Sequence, residues 1–220
     1  MNKHSLIAAS PLFQGLPVHE LAEIEKIAIE KSYGKDETIF FEGDEGTGFF
    51  MVLEGRVKIF KMSLQGKEQI LHIFGEGEPF GEVPVFHGQP FPASAETLLK
   101  SRLLYFPRKE FIDLVTRSPS IALNMLAVLS MRLRRFTVQI ENLSLKEVPA
   151  RLASYLLYLA EEQGRADRVE LAISKGQLAS LLGTIPETLS RIFAKMSEEG
   201  LIEVQGRTIL LLDREGLAER

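Results

Sequence analysis

An unbroken heptad stripe runs through the middle of the chain and fixes how the rest is organised. Apolar residues recur there at alternating spacings of three and four, at Leu126, Leu129, Leu133, Phe136, Ile140 and Leu143. This spacing predicts one long helix with a single narrow apolar stripe. A core helix packed on its own domain is the alternative, but such a helix needs a wider apolar face. We therefore expect this helix to pair between two copies of the chain.

Short β-rich runs separated by glycine precede the long helix. They are ETIFF, GFFMVLEG, RVKIFKM and EQILHIF, and strands resume in ASAETLLKSRLLYFP. This pattern is typical of an antiparallel barrel or roll. Helical periodicity in LPVHELAEIEKIAIEK predicts a packing helix before the strands, and RKEFIDLVTRSP predicts another after them.

A second domain is predicted after a hinge at 144–146, because Pro149 suits the first turn of a new helix. Further on, Ser174 begins a capping-box pattern, and the short helix that follows stops at Gly183. PETLSRIFAKMSEEG predicts another helix, and GLIEVQGRTILLLD predicts a β-hairpin that turns at Gly206. Two short helices and a hairpin in this order indicate a winged helix-turn-helix.

Three polar side chains share the outer side of the second helix of this motif, because they are spaced at i, i+3 and i+4. Arginine suits a bidentate bond to guanine, glutamate accepts from cytosine, and serine is small enough to meet a base or a phosphate. The candidate DNA-binding residues are Glu187, Thr188, Ser190, Arg191, Ser174 and Lys175. The alternative is a solvated surface helix with a Thr184–Glu187 capping box and an intrahelical pair between Glu187 and Arg191.

The charge of the chain limits how it can bind DNA. The formal net charge is -4, and residues 147–220 hold nine Lys and Arg against twelve Asp and Glu. Non-specific binding driven by salt release should therefore be weak. Affinity must come from a few placed cations and dimeric geometry, which favours sequence-specific regulation over DNA packaging.

Composition excludes several other classes of protein. The chain has no cysteine, so disulfides, thiolate redox sensing and an iron-sulfur cluster are ruled out. No run of about eighteen uncharged apolar residues is present, and MNKHSLIAASPLF lacks the apolar region of a signal peptide. We expect a cytoplasmic protein that does not enter a membrane.

In this order of parts, the chain resembles the cyclic-AMP receptor protein (CRP/FNR) family of bacterial transcription factors over residues 10–216. The most specific matches are FFMVLEGRVKIFK with GKEQIL, FGEVPVFHGQPFPASAE, and GQLASLLGTIPETLSRIFAKMSEEGLIEVQGRTILLLD. The resemblance implies an α+β fold in three parts. These are a double-stranded β-helix (jelly-roll) sensor domain like those that bind cyclic nucleotides at 1–117, a dimerisation helix and hinge at 118–145, and a winged helix-turn-helix at 146–220.

The resemblance also implies partners. We expect a homodimer, not an enzyme, that binds a palindromic operator in double-stranded DNA, works with RNA polymerase and responds to a small-molecule effector. The recognition helix reads Glu-x-x-Ser-Arg, and Pro186 stands where cyclic-AMP receptor proteins have an additional arginine. Resemblance to the branch of the family with this pattern implies half-sites of the TTGA type in inverted repeat. A partner-binding adaptor that has lost DNA binding is the alternative, although the intact DNA-reading residues argue against it.

The effector cassette departs from the family's cyclic-nucleotide pattern. Its candidate residues are Gly81, Glu82, Phe91, Pro92, Ala93 and Ser94. The Gly-Glu pair matches, but Phe91 and Pro92 stand where the resemblance leads us to expect the arginine and serine that hold the cyclic phosphate. Neither residue supplies a charge or a side-chain donor, and a buried phosphate without a cation is costly. We expect an effector other than cyclic AMP, with a cyclic-nucleotide-responsive regulator as the alternative.

Two effector classes stay open, and haem with gas or nitric-oxide sensing is slightly favoured over an organic ligand. The cassette ends in an aromatic-Pro-Ala pattern, which resembles that of certain family members. Some of these respond to nitric oxide through haem, and others respond to small aromatic acids. A haem would need an axial ligand, for which His72 and His87 are the candidates. We expect an apolar cavity against residues 123–127 of the long helix, bounded by alternate strand residues at Val57, Ile59, Ile70 and His72.

An acidic cluster raises the possibility of an enzyme. Glu42, Asp44 and Glu45 lie together in FEGDEGTG, and a carboxylate cluster at the mouth of a roll could indicate cupin-like metal chemistry. Such chemistry needs histidines grouped with a glutamate, and the spacing of the four histidines does not group them. We therefore interpret the cluster as a solvated turn.

Overall fold

The computed structural model describes residues 3–220. By its internal contacts the chain divides into two units, Met1–Arg134 and Arg135–Arg220. The helices of the first unit, the last of which crosses the boundary, are α1 (Lys3–Ala9), α2 (Val18–Ile27), α3 (Val83–Phe86), α4 (Arg108–Arg117) and α5 (Pro119–Leu145). Its strands are β1 (Ile29–Tyr33), β2 (Thr38–Phe40), β3 (Gly48–Glu54), β4 (Val57–Met62), β5 (Glu68–Phe74), β6 (Pro79–Phe80), β7 (Ser94–Thr97) and β8 (Ser101–Pro107).

Two antiparallel sheets form the core of the first unit. Their strand orders are β1-β8-β3-β6 and β2-β7-β4-β5. Neighbours in space are often distant in sequence, as in a jelly-roll, so the predicted fold class is confirmed. Each run that the sequence predicts as a strand is one, and ASAETLLKSRLLYFP supplies β7 and β8.

Strand β3 shows why the unit has two apolar clusters. All of its residues but the last are buried, since both faces of its sheet are covered. Phe49, Met51 and Leu53 pack against the helices, in the larger cluster. Phe50 and Val52 point between the two sheets, into a smaller cluster rich in phenylalanine.

The helix predicted from LPVHELAEIEKIAIEK is shorter than its periodicity indicates. Helix α2 ends at Ile27, and the chain continues at once as β1, where Ile29 pairs with Tyr105 of β8. Pairing with a neighbouring strand outweighs local helical spacing at this point. The helix predicted from RKEFIDLVTRSP is confirmed as α4.

Helix α5 is the long helix that the heptad stripe predicts. It buries Ile121, Met125 and Val128 on a different side from most of the heptad stripe. Ile121 and Met125 belong to the larger cluster. The helix ends at Leu145, as expected from the hinge at 144–146. The domain bounds drawn from the sequence remain a prediction.

The second unit holds the predicted helix-turn-helix and hairpin. Its helices are α6 (Val148–Glu162), α7 (Lys175–Leu181), α8 (Pro186–Glu198) and α9 (Arg214–Ala218), and its strands are β9 (Arg168–Glu170), β10 (Ile202–Gln205) and β11 (Thr208–Leu211). The three strands form one antiparallel sheet in the order β10-β11-β9. Pro149 lies in the first turn of α6, as expected.

Across residues 3–220, no single helix has the length and apolar composition needed to cross a membrane. Helices α4 and α5 taken together meet those two criteria, with a bend of 111° between them.

Candidate nucleic-acid interface and sensor cassette

A tight turn joins α7 to α8. Ser174 caps α7 through the expected capping box, in which its hydroxyl accepts from the Gln177 N–H at 3.2 Å and the Gln177 side chain accepts from the Ser174 N–H at 2.8 Å. Gly183 takes a φ of +69° after α7, a conformation that suits glycine. The Arg151 guanidinium of α6 donates to the Leu182 carbonyl at 2.5 Å, which holds the turn in place.

One face of α8 is buried and the opposite face is exposed. Leu189, Phe193 and Met196 pack into the unit. The candidate base-reading residues Glu187, Ser190 and Arg191 are exposed together on the other side. The structure therefore brings these three side chains onto one accessible surface at the N-terminal half of α8, where a helix-turn-helix contacts base edges.

The other candidate DNA-binding residues border this surface. Thr188 is half-buried, and its hydroxyl accepts from the Arg191 guanidinium at 3.4 Å. Lys175 begins α7, and its ammonium lies 5.2 Å from the centre of the Phe193 ring. Ser174 is committed to its capping box, so its hydroxyl has a structural role as well as the proposed DNA contact.

The capping box predicted between Thr184 and Glu187 is wrong. The residue that caps α8 is Ile185, which makes no side-chain capping bond. Pro186 is the first helical residue and has no N–H to satisfy, so Glu187 occupies the second helical position rather than the third. The Glu187 carboxylate is thus not needed to close the helix end.

The predicted hairpin follows α8 directly. Gly200 ends the helix with a φ of +73°, and Gly206 turns the hairpin between β10 and β11 with a φ of +65°. The Arg207 carbonyl accepts from the Leu171 N–H at 2.8 Å, which ties the hairpin to the segment before α7. This is the wing of a winged helix-turn-helix.

The heptad residues of α5 differ in exposure. Leu126, Leu133, Phe136 and Ile140 are exposed, and Leu133 keeps 69% of its accessible surface. Leu129 is partly buried against the larger cluster, and Leu143 is also partly buried. Four large apolar side chains along one helix are too many for a solvated surface unless a partner covers them.

The cassette residue Phe91 points into the aromatic cluster between the sheets. Its ring stacks on Phe40 with the centroids 3.7 Å apart and the planes 9° from parallel. Gly81 lies beside both rings with a φ of +74°. The Pro92 carbonyl accepts from the Lys61 ammonium at 3.1 Å, and Ala93 is buried. The cassette thus places an aromatic stack, and no side-chain cation, at Phe91.

Glu82 of the cassette pairs with Arg132 of α5. The carboxylate and guanidinium are 2.6 Å apart, and the two side chains are 14% and 15% exposed. Arg132 also donates to the Pro79 carbonyl and lies 4.9 Å from the centre of the Phe74 ring. Sequence reasoning missed Arg132, although it continues the spacing of the buried residues of α5 and a charge in line with a core stripe needs a buried partner.

The cavity predicted from alternate strand residues is not formed as expected. A bulge between Ile59 and Phe60 shifts the register, so that Ile59 faces His72 but Phe60 faces Ile70. Cross-strand partners share a face of the sheet, so Ile70 lies on the opposite face from Ile59 and His72. The contact with α5 is also different: Leu123 is exposed, and the helix reaches the cassette at Arg132 instead.

The histidine and carboxylate candidates do not come together. His72 packs edge-on against Phe74 at 4.5 Å between ring centroids, and His87 is exposed at the end of α3. Asp44 accepts from the Phe41 N–H at 2.8 Å, as in a turn that is closed by its own side chain. Among residues 3–220, no group of three or more His, Cys, Asp or Glu side chains is arranged to hold a metal ion.

Ser94 of the cassette is engaged in a hydrogen bond within the first unit. The Ser94 hydroxyl accepts from the Glu42 N–H at 3.0 Å, and Glu42 itself pairs with Lys61. These contacts join the start of β7 to the acidic turn. Ser94 therefore has a structural role in this unit.

Comparisons with known proteins match both units. Residues 30–118 match the family of the cyclic nucleotide-binding domain, and residues 150–220 match that of the Crp-like helix-turn-helix domain. The "CRP-like cAMP-activated global transcriptional regulator" of Mycobacterium tuberculosis is 31% identical over 98% of both chains. The "Cyclic AMP receptor protein" of Thermus thermophilus is 34% identical over 91% of both chains.

Solved structures of proteins from other bacteria are also similar to this chain. FixK2 of Bradyrhizobium japonicum is similar with a TM-score of 0.77 and 25% identity, over 88% of this chain and 96% of that one. A mutant of CooA from Carboxydothermus hydrogenoformans is similar with a TM-score of 0.77 and 27% identity, over 88% of both chains.

Proposed function

Because this chain belongs to the CRP/FNR family of DNA-binding transcription regulators, we propose that it is a homodimer that binds a palindromic operator under the control of an effector. It acts in the cytoplasm, with RNA polymerase as its partner and without an enzymatic activity of its own. The effector is not a cyclic nucleotide.

The observation that carries DNA reading is the outer face of α8. Packing of Leu189, Phe193 and Met196 leaves Glu187, Ser190 and Arg191 exposed as a set. In the proposed complex Arg191 donates two bonds to guanine, and Glu187 accepts from cytosine. A carboxylate beside DNA phosphates would be repelled unless it met such a donor, which is why we assign Glu187 to a base.

The observation that supports a dimer is the exposed heptad stripe of α5. A second copy of the same helix would cover Leu126, Leu133, Phe136 and Ile140 about a two-fold axis. Two recognition helices related by that axis would read half-sites about one helical turn apart. The proposal therefore includes an inverted repeat, with half-sites of the TTGA type.

Fluorescence anisotropy with labelled duplexes tests this function. We expect tight binding to an inverted TTGA repeat, weaker binding to a single half-site, and no preference among scrambled duplexes. Affinity for the scrambled duplexes should fall steeply with salt, because only phosphate contacts remain. Equal binding to all duplexes would favour the alternative of an adaptor that has lost DNA binding. The absence of any shifted band with genomic fragments in an electrophoretic assay would favour it as well.

The cassette is the reason to exclude cyclic nucleotides, although the M. tuberculosis relative is named for activation by cyclic AMP. Phe91, which the resemblance aligns with the phosphate-binding arginine, is stacked on Phe40, and Glu82 is engaged by Arg132. A cyclic nucleotide would have to break both contacts and then bury its phosphate without a cation. Calorimetric titration with cyclic AMP should give no binding heat, and tight binding would overturn this part of the proposal.

The sequence slightly favours haem as the effector, but the packing of the interior leads us to propose an organic ring instead. The aromatic interior as packed does not fit a haem, because Phe40 and Phe91 already stack face to face. His72, against Phe74, is the residue from which axial ligation would come if the interior opened. Anaerobic haem titration separates the two: a Soret band that moves with nitric oxide and is lost in His72→Ala would establish haem instead.

A further inference from the structure

A single aromatic side chain anchors the exposed cassette loop. Within the described segment 86–92, Phe91 alone is buried, with 5% of its surface accessible. Its backbone is held on both sides, since the Phe91 N–H donates to the Asp44 carbonyl at 3.0 Å and the Phe91 carbonyl accepts from the Gly43 N–H at 2.9 Å. The loop thus inserts one ring into the interior and leaves the rest of its side chains in solvent.

The slot that receives this ring is shaped for a flat group. Phe40 covers one face at 3.7 Å, nearly parallel. A Cβ on Gly46 would stand 2.7 Å from the Phe91 ring, and a Cβ on Gly81 would stand 3.3 Å from the rings of both Phe91 and Phe40. Two residues without side chains therefore line the slot where any larger residue would crowd the ring.

The charges around the slot are engaged by one another. Glu82 and Arg132 form an ion pair at its inner end, and Lys61 pairs with Glu42 near the loop. A charged ring, such as the aromatic acids that the resemblance suggests, would meet charges that are already paired and would have to compete for them. An uncharged ring would disrupt neither pair, so the chemistry of the slot favours an uncharged ring.

The slot is connected to α5 through two consecutive residues. Gly81 lies against the Phe40 and Phe91 rings, and the next residue, Glu82, holds Arg132. The Pro79 carbonyl accepts from the same guanidinium. A change of occupant in the slot would therefore act on the segment that fixes Arg132, and with it on the helix that carries the exposed apolar stripe.

We propose that the Phe91 ring closes this slot, and that a planar uncharged ring acts as the effector by displacing Phe91 from it. The proposal rests on the proposed function only where DNA is the readout, because occupancy of the slot is measured without DNA. Phe91 competes with the ligand, so the apparent affinity is reduced by the fraction of molecules with the slot open.

The first experiment measures occupancy with indole as the probe, on full-length Phe91→Ala. Removing the ring leaves an apolar cavity of the kind that binds small aromatics. We expect a lower melting temperature than the parent chain and a rise of several degrees on adding millimolar indole. The parent chain should bind indole more weakly by about tenfold or more, because Phe91 must leave first. Phe91→Val, with a smaller cavity, serves if the alanine variant does not fold.

The second experiment measures coupling to DNA by operator affinity with and without indole. We expect indole to change the affinity of Phe91→Ala, and of the parent chain at higher concentration. Phe13→Ala is the matched control, since Phe13 is as buried but belongs to the larger cluster, and its operator affinity should not respond to indole.

The results of the two experiments test the ligand slot and the proposed DNA-binding function separately. If a folded variant at position 91 shows the same melting temperature with and without indole, the slot is not a ligand site. Stabilisation by indole with unchanged operator affinity would overturn its role as effector site. Failure of the parent chain to bind any operator would defeat the proposed function, while the melting experiment would still decide the occupancy of the slot.

Discussion

The Arg132 guanidinium of α5 lies 2.6 Å from the Glu82 carboxylate of the cassette, and both side chains are largely buried. This pair joins the part of the β-roll that would meet an effector to the helix that carries the heptad stripe. Removing one partner would leave the other as a buried charge without compensation. The pair is therefore a structural requirement of the first unit and a point at which a signal can reach α5.

We expect Arg132→Met to lower the stability of the folded chain by roughly 3 kcal/mol, because it leaves Glu82 buried and unpaired. Thermal melting followed by circular dichroism measures the loss, and adding Glu82→Gln should recover part of it. Arg117→Met is the matched control, since its pair with Glu23 is exposed and should matter far less. Equal losses in the two single variants would contradict a special role for Arg132.

Leu133→Asp should dissociate the dimer, because facing carboxylates at the centre of the stripe would cost several kcal/mol in desolvation and repulsion. Sedimentation at low micromolar concentration measures the outcome. Val138→Asp is the control, since Val138 is exposed on the same helix but off the stripe. A full dimer in the Leu133 variant would show that α5 does not form the interface through this stripe.

Arg191→Ala should lose about 1–3 kcal/mol of operator binding and relax the preference at one guanine. Anisotropy with operators altered at each base pair identifies that position. Lys195→Ala changes an exposed cation one turn later on α8 and should leave base preference as it is. If Arg191→Ala kept full discrimination at every position, another residue would have to be the guanine reader.

Gly46→Ala should crowd the slot of Phe91, because the added Cβ would press on both Pro84 and the Phe91 ring. The added Cβ would stand 2.4 Å from Pro84 and 2.7 Å from the Phe91 ring, closer than packed atoms allow. We expect a lower melting temperature in thermal scans. Gly75→Ala is the control, because the nearest atom beyond its chain neighbours, a carboxylate oxygen of Glu78, would be 3.8 Å from the added Cβ. Matching melting temperatures for the two variants would mean that the slot is loosely packed.

Elements whose signals are local could be predicted from the sequence. The Ser174 capping box and the glycines at 183, 200 and 206 act through neighbouring residues, so the order of helices, the turn and the hairpin was predictable. The heptad stripe was equally readable, because helical spacing alone decides which residues share a side. Where a local signal misled, at Thr184, the cause was also local: Pro186 moved the start of α8.

The interior of the first unit could not be predicted in the same way, because it depends on contacts between segments that are distant in sequence. The bulge beside Ile59 reverses the face of Ile70, and one extra residue in a strand leaves no periodic signal to read. Phe91 meets Phe40, and Arg132 meets Glu82, only because sheet pairing and the packing of α5 bring distant segments together. Cassette residue types indicated what would not bind there, but long-range packing decided that Phe91 fills the space and that Arg132 holds the adjoining carboxylate.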